Sequence, residues 1–389
     1  MTENVNVGVT VAKGFRAAGV TAGIKASGTP DLALVVNDGP SLAAAGVFTA
    51  NRVKAAPVLW SEQVLKGGVL SAVVLNSGGA NACTGPLGFQ DTHATAEKAA
   101  EELKVNAGEV AVASTGLIGV RLPMDILLPG VALAAQELSA TGGEAAAIAI
   151  KTTDTVHKTA QMTKDGWTVG GMAKGAGMLA PGLATMLVVL TTDADLDAAA
   201  LDASLRGATR TTFDRIDSDG CMSTNDTVLL LASGASGVTP GQAEFDEAVR
   251  TVCADLARQL IGDAEGASKD IRIDVTAAAS EEEAVDVARV IGRNNLLKCA
   301  LHGEDPNWGR VLAAIGTTSA AFDPDRLDVA INGVWVCRDG SVGEDRDLVD
   351  MTGREVVITA RLNAGEAAAT LWTNDLTADY VHENSAYST

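Results

Sequence analysis

The segment "KGAGMLAPGLATMLVVLTTDA", residues 174–194, sets a glycine- and proline-loosened loop directly before an Ala-Thr pair and an apolar run rich in β-branched residues. The run "ATMLVVLTTD" (184–193) predicts a buried strand fed by that loop. Four other stretches carry the same signal and end in polar or glycine turns: "SAVVLNSG" (71–78), "GEVAVAST" (108–115), "AAAIAIKTTD" (145–154) and "DTVLLLAS" (226–233). Between them, "DTHATAEKAAEELKV" (91–105) and "AEFDEAVRTVCADLARQLIG" (243–262) have amphipathic helix patterns, the second with Phe245, Val249, Val252, Leu256 and Leu260 at helical spacing. A third helix is predicted over 280–301. The strands "RLDVAINGVWVC" (326–337), "REVVITARLN" (354–363) and "AAATLWTND" (367–375) then read as a late antiparallel sheet. The fold class is α/β, of the mixed α+β kind. No fixed-period repeat or low-complexity linker marks a boundary, so the loop before Thr185 is the best candidate break.

Composition limits what such a chain does. The 389 residues suffice for two or three domain-sized units of roughly 150 residues each. With 47% hydrophobic but only 3% aromatic residues, the core must be built from Ala, Val, Leu and Ile, and 41 glycines let backbones approach closely. A formal net charge of -20 argues against nucleic acid or an anionic membrane surface as a partner. Cys83, Cys221, Cys253, Cys299 and Cys337 are odd in number and scattered, which speaks against a disulfide framework. Cys299 and His302 have a spacing that can open a metal site, but no second pair completes it, so no metal is expected. The start "MTENVNVGVTVAKGFRAAGV" lacks an apolar h-region, and no apolar run approaches the roughly 18 residues of a membrane span. The expected compartment is the cytoplasm, with no membrane association.

A Ser or Thr hydroxyl needs an adjacent base and donors for the oxyanion before it acts as a nucleophile. The four histidines, His93, His157, His302 and His382, fall in no nucleophile-elbow or Ser-His-Asp signature. Another solution is an N-terminal threonine whose own α-amine, with an unperturbed pKa of about 7.7–8.0, serves as base. Such an amine exists only after cleavage: the Thr185 hydroxyl would attack the carbonyl of Ala184, and an N-to-O shift followed by hydrolysis would free it. On the residues alone the plainer reading stands beside this one, since Thr suits a strand for steric reasons.

"MAKGAGMLAPGLATMLVVLTTDA" resembles the cleavage segment of the ornithine acetyltransferase family, the bifunctional glutamate N-acetyltransferases of arginine biosynthesis. "NSGGANACTG" (76–85), "ASTGLIG" (113–119), "STNDT" (223–227), "GEDPNWGR" (303–310) and the ending "YVHENSAYST" agree in order and spacing. The resemblance implies a self-cleaving, aminopeptidase-like fold of sheets packed with helices, in two interlocked parts. It implies cleavage between Ala184 and Thr185 into an α chain (1–184) and a β chain (185–389), assembled as α2β2. It makes Thr185 the nucleophile and Thr115 and Gly116 the oxyanion donors. Thr152, Lys174, Thr185, Glu265, Asn384 and Thr389 become substrate contacts. The implied reaction is ping-pong transfer of acetyl from N-acetyl-L-ornithine to L-glutamate through acetyl-Thr185, with no cofactor; some members also take acetyl-CoA as donor.

Read without the family, these residues are plainer. Thr115-Gly116 is a glycine turn after a strand, Lys174 a solvated loop lysine and Glu265 a surface carboxylate. Thr152 has Thr153 beside it, one residue away from the same assignment. "GEDPNWGR", with Glu304, Asp305, Asn307 and Arg310, is turn chemistry near the site with a structural role. "NSGGANACTG" can cradle an anion through backbone N–H groups but lacks the lysine of a P-loop. Gly79, Cys221 and Met222 depart from the family's usual residues. Two other functions fit the same chain: an N-terminal-threonine amidase or aminopeptidase of this architecture, and an uncleaved, catalytically silent amino-acid-binding protein.

Overall fold

The computed structural model describes residues 6–180 and 186–386. In chain order the described strands are β1 (Phe15–Val20), β2 (Leu32–Asn37), β3 (Ala44–Phe48), β4 (Ala72–Ser77), β5 (Val110–Thr115), β6 (Lys158–Lys164), β7 (Trp167–Lys174), β8 (Leu187–Thr192), β9 (Thr227–Ala232), β10 (Asp270–Ala278), β11 (Asp328–Ile331), β12 (Val334–Arg338), β13 (Ser341–Val342), β14 (Glu355–Arg361) and β15 (Ala367–Asn374). They form a four-stranded sheet ordered β1-β2-β4-β5, a five-stranded sheet ordered β3-β9-β8-β7-β6 and a six-stranded sheet ordered β13-β12-β11-β14-β10-β15.

The first two sheets stack face to face. Val35, Val73 and Leu75 of one meet Met172, Val189 and Leu229 of the other in a common core. Their outer faces are covered by helices: Gly85–Leu103 and Met124–Gln136 on the first sheet, Ala198–Thr211 and Gln242–Gly262 on the second. The result is a four-layer α/β/β/α sandwich. Every residue of β4, β5, β8 and β9 is buried, which is why these strands read as continuous apolar runs rather than alternating ones. The third sheet has its own core, built with the helices Glu281–Gly292, Asn295–His302 and Trp308–Ile315.

The mixed α/β expectation holds, with local corrections. Residues 145–154, read as a strand, begin instead inside the helix Gly143–Ala149. Alanine is a good helix former, and this small-faced helix lies so close to β1 that a Cβ on Gly19 would sit 1.9 Å from the Ala145 carbonyl oxygen. The helix predicted over 280–301 is two helices, because Asn294 accepts from Leu297 N at 2.9 Å and so starts a second one. The run 326–337 is the hairpin β11–β12, turned at Asn332 and Gly333, both at positive φ. The last sheet is not purely antiparallel: β10, which the periodicity did not reveal, pairs parallel with β14. The loop before Thr185 is no domain break, since it joins β7 to β8, neighbours in one sheet. The change of core falls later, between the helix Gln242–Gly262 and β10. No described helix is long and apolar enough to cross a membrane.

Candidate active site

Ala184, Thr185 and Thr389 lie outside the described residues. The remaining oxyanion and substrate-contact candidates converge. A cavity of about 250 Å³ is lined by Thr115, Gly116, Leu117, Ile118, Thr152, Thr153, Lys174, Gly177, Met178, Glu265 and Asn384. Thr115 ends β5 and Lys174 ends β7, so the two sandwiched sheets deliver them to the same place. Thr152 and Thr153 come from the loop before β6, and Glu265 from the turn after Gln242–Gly262. Asn384 comes from the last described helix, Ala378–Ala386. Thr152 and Thr153 both touch the cavity, so the geometry does not separate them.

At Gly116 the backbone takes φ +129, and a Cβ there would meet Gly79 N at 2.6 Å. Only glycine fits that bend. The "NSGGANACTG" segment supplies its wall: Gly79 N donates to Thr115 O at 3.0 Å and Ala80 N to Leu117 O at 3.0 Å. Asn225 of "STNDT" donates from Nδ2 to Ala80 O at 2.6 Å and to Ser114 O at 2.8 Å. The N–H groups of Gly79 and Ala80 therefore brace the Thr115–Leu117 turn rather than cradle an anion.

Lys174 is 2% exposed, far from the solvated loop lysine of the plain reading. Its Nζ donates to Thr115 Oγ1 at 3.4 Å. Burial pushes its ammonium below the ordinary lysine range, opposed chiefly by the charge of Asp154. Glu265 closes on the cavity because Gly177 leaves room: a Cβ there would lie 2.5 Å from Glu265 Oε2. That oxygen accepts from Asn384 Nδ2 at 2.9 Å.

Sequence reasoning passed over three buried ionisable groups nearby. Asp154 and Lys158 form an ion pair at 2.7 Å with both side chains out of solvent. Asp226, fully buried, accepts from Met186 N at 3.1 Å, and burial raises its carboxyl well above the ordinary aspartate value. An Asp two residues beyond Thr152 was the available signal for the first, since its carboxylate takes the Thr152 N–H at 3.0 Å.

The other candidates lie elsewhere. None of Glu304, Asp305, Asn307 and Arg310 lines the cavity. Asn307 caps the helix Trp308–Ile315, accepting from Arg310 N at 3.3 Å. No histidine lines the cavity either. His302 Nδ1 lies 2.9 Å from Asp375 Oδ2 and 3.2 Å from Ser268 Oγ. One ring nitrogen facing both partners is no relay, which needs the imidazole between them with a nitrogen for each. Among the described residues no cluster of three His, Cys, Asp or Glu is placed to hold a metal.

Sandwich and cavity together define a mixed α/β protein with a small, charged pocket assembled from distant parts of the chain. A family model described as the ArgJ family matches residues 16–389, and the chain belongs to that family. It is 80% identical over 380 residues to the arginine biosynthesis bifunctional protein ArgJ of Streptomyces avermitilis, covering 98% of this chain and 99% of that protein. It is 63% identical over 381 residues to the protein of the same description from Thermobifida fusca, covering 98% of this chain and 100% of that protein. Among solved structures, ornithine acetyltransferase from Mycobacterium tuberculosis complexed with ornithine is 63% identical, covering 46% of this chain and 96% of that chain at a TM-score of 0.45.

Proposed function

We propose that this chain is an acyltransferase of arginine biosynthesis that moves an acetyl group from N-acetyl-L-ornithine to L-glutamate. The observation that carries the reading is the convergence of Thr115, Gly116, Thr152, Lys174, Glu265 and Asn384 on one cavity. Its size, below the roughly 300–1,000 Å³ of sites for drug-sized ligands, suits a single amino-acid derivative. N-acetylornithine carries one carboxylate and one side-chain ammonium. Lys174 is the group of suitable charge for the first, and Glu265 for the second.

The reaction begins after the chain has cleaved itself between Ala184 and Thr185, leaving residues 1–184 and 185–389 as separate polypeptides. The Thr185 hydroxyl attacks the acetyl carbonyl while the Thr185 α-amine takes its proton. The Thr115 hydroxyl and the Gly116 N–H donate to the developing oxyanion, and the braced turn holds them in place beforehand. Collapse returns the proton to the departing nitrogen, releases ornithine and leaves an acetyl ester on Thr185. The glutamate amine attacks that ester, N-acetylglutamate leaves, and the hydroxyl regains its proton. The Lys174 cation disfavours protonation of the Thr185 α-amine and so preserves the base. One amide replaces another of similar energy, so the cycle needs no cofactor; where acetyl-CoA is the donor, its thioester acylates the same Thr185 hydroxyl and coenzyme A leaves. The half-reactions take place in the cytoplasm, and the cleaved chains assemble as α2β2.

Incubating the protein with N-acetylornithine in the presence and absence of glutamate tests the reading. Ornithine and N-acetylglutamate formed in equal amounts, with a transient 42 Da ester on the fragment beginning at Thr185, is the expected result; the mass is about that of an acetyl group replacing hydrogen and marks a covalent intermediate. Ornithine released with free acetate at the same rate without glutamate would make the protein an amidase. Binding of ornithine by an intact chain with no turnover would make it a silent binding protein.

A further inference from the structure

Behind the cavity wall runs a row of charges that the proposed reaction does not use. Asp154 accepts from Thr152 N at 3.0 Å, from Gly175 N at 2.6 Å and from Lys158 Nζ at 2.7 Å. Lys158 reaches on to Asp263 Oδ2 at 2.5 Å, and that oxygen also accepts from Thr155 N at 3.1 Å. The two backbone donors to Asp154 belong to the cavity: Thr152 lines it, and Gly175 directly follows Lys174.

A carboxylate out of water is costly unless it is paired and hydrogen-bonded. Thr152 N meets Oδ2 and Gly175 N meets Oδ1, so both carboxylate oxygens serve as acceptors, and a neutral amide would turn its NH2 group against one of these donors. The negative charge also answers the cations. Lys158 is shared with Asp263, which leaves Lys174 as the cation for which Asp154 is the leading counterweight. The other groups bearing on Lys174 do not replace it. Glu265 is half-buried and engaged with Asn384. Asp226 is driven by burial toward its neutral form. Lys158 and Lys25 repel Lys174. Burial, the largest influence on Asp154, would raise its carboxyl, yet Lys174 and Lys158 hold it well below the ordinary range.

We propose that Asp154 is a positioning residue: it pins the Thr152 and Gly175 walls of the cavity and supplies the countercharge that keeps the Lys174 ammonium available to a substrate carboxylate. The last clause rests on the acetyl-transfer reading; the rest concerns the free protein.

The test pairs two readouts on Asp154→Asn, which keeps size, removes charge and turns an NH2 group toward one of the two backbone donors. In protein labelled with 13C at lysine Cε, the Lys174 resonance, assigned by its loss in Lys174→Arg, titrates at lower pH in Asp154→Asn than in wild type. The sign follows because burial then acts with less opposition, and the ammonium survives only below its folded pKa. In parallel, KM for N-acetylornithine at mildly alkaline pH rises about tenfold or more, as expected when a larger share of Lys174 is neutral, while kcat falls by less. An unmoved Lys174 titration in folded Asp154→Asn overturns the proposal whatever KM does. A moved titration with unchanged KM upholds the countercharge and overturns Lys174 as the substrate-carboxylate group. Where Asp154→Asn does not fold, the wild-type titration decides: Lys174 charged at neutral pH is the expected result, and Lys174 neutral there overturns the proposal.

Discussion

A lysine side chain withdrawn almost wholly from water has given up hydration that neighbouring carboxylates, and a bound anion, can replace. That is the physical case for Lys174 as the cavity's anion-binding group, and it predicts the effect of removing it. Lys174→Met is expected to lower kcat/KM for N-acetylornithine about ten- to hundredfold, the worth of a hydrogen bond to a charged group, chiefly through KM in steady-state assays. Two glycines should separate folding from binding. Gly116→Ala forces a side chain into a bend at φ +129 with Gly79 N only 2.6 Å from the new Cβ. It is expected to cost about 1–3 kcal/mol in urea unfolding and to lower kcat. Gly177→Ala meets instead the mobile end of Glu265. Its stability should stay within about 1 kcal/mol of wild type, as when a flexible neighbour can give way, while KM rises severalfold.

Elements were legible in the sequence where one face or the whole strand is apolar, and obscure where small residues make different structures look alike. β8 and β9 could be placed from their apolar runs, and Gln242–Gly262 from its five apolar positions at helical spacing. The alanines of 145–149 carry no period, so a helix there was read as a strand. β10 alternates, with burial changing at every residue from Asp270 to Val275, but its polar members hid it between two helices. Thr115, Gly116, Thr152, Lys174, Glu265 and Asn384 were legible by resemblance to a family rather than by pattern, because they come from separate segments of the chain and their meeting is a property of topology. Asp154 was missed for that reason: its partner Gly175 is remote in sequence, and so is Asp263, which shares Lys158 with it. The helix Ala378–Ala386 has no buried residue, yet it carries Asn384 to Glu265. Ending the chain before Ala378 should therefore shift Tm by only a few degrees, as expected for a surface element of a large chain, while raising KM, measured on the truncated protein.

At the scale of the whole molecule, the proposed cleavage position divides the chain without dividing the sandwich. β8 and β9 follow position 185, yet they lie between β3 and β7, which precede it. Two hydrogen-bonded seams, β3–β9 and β7–β8, and the shared cores on both faces thus join the two pieces. Cleaved pieces are accordingly expected to co-elute in native gel filtration and to separate only in guanidinium; separation in buffer would contradict this interlocking. The central claim is that Thr185 creates its own base by cutting the bond before it. Intact mass spectrometry under denaturing conditions, on wild type and Thr185→Ala, tests it most directly. The account predicts two wild-type fragments meeting at Ala184/Thr185 and a single unbroken Thr185→Ala chain. A folded wild-type chain that stays whole, or a Thr185→Ala chain cut at the same bond, would contradict it.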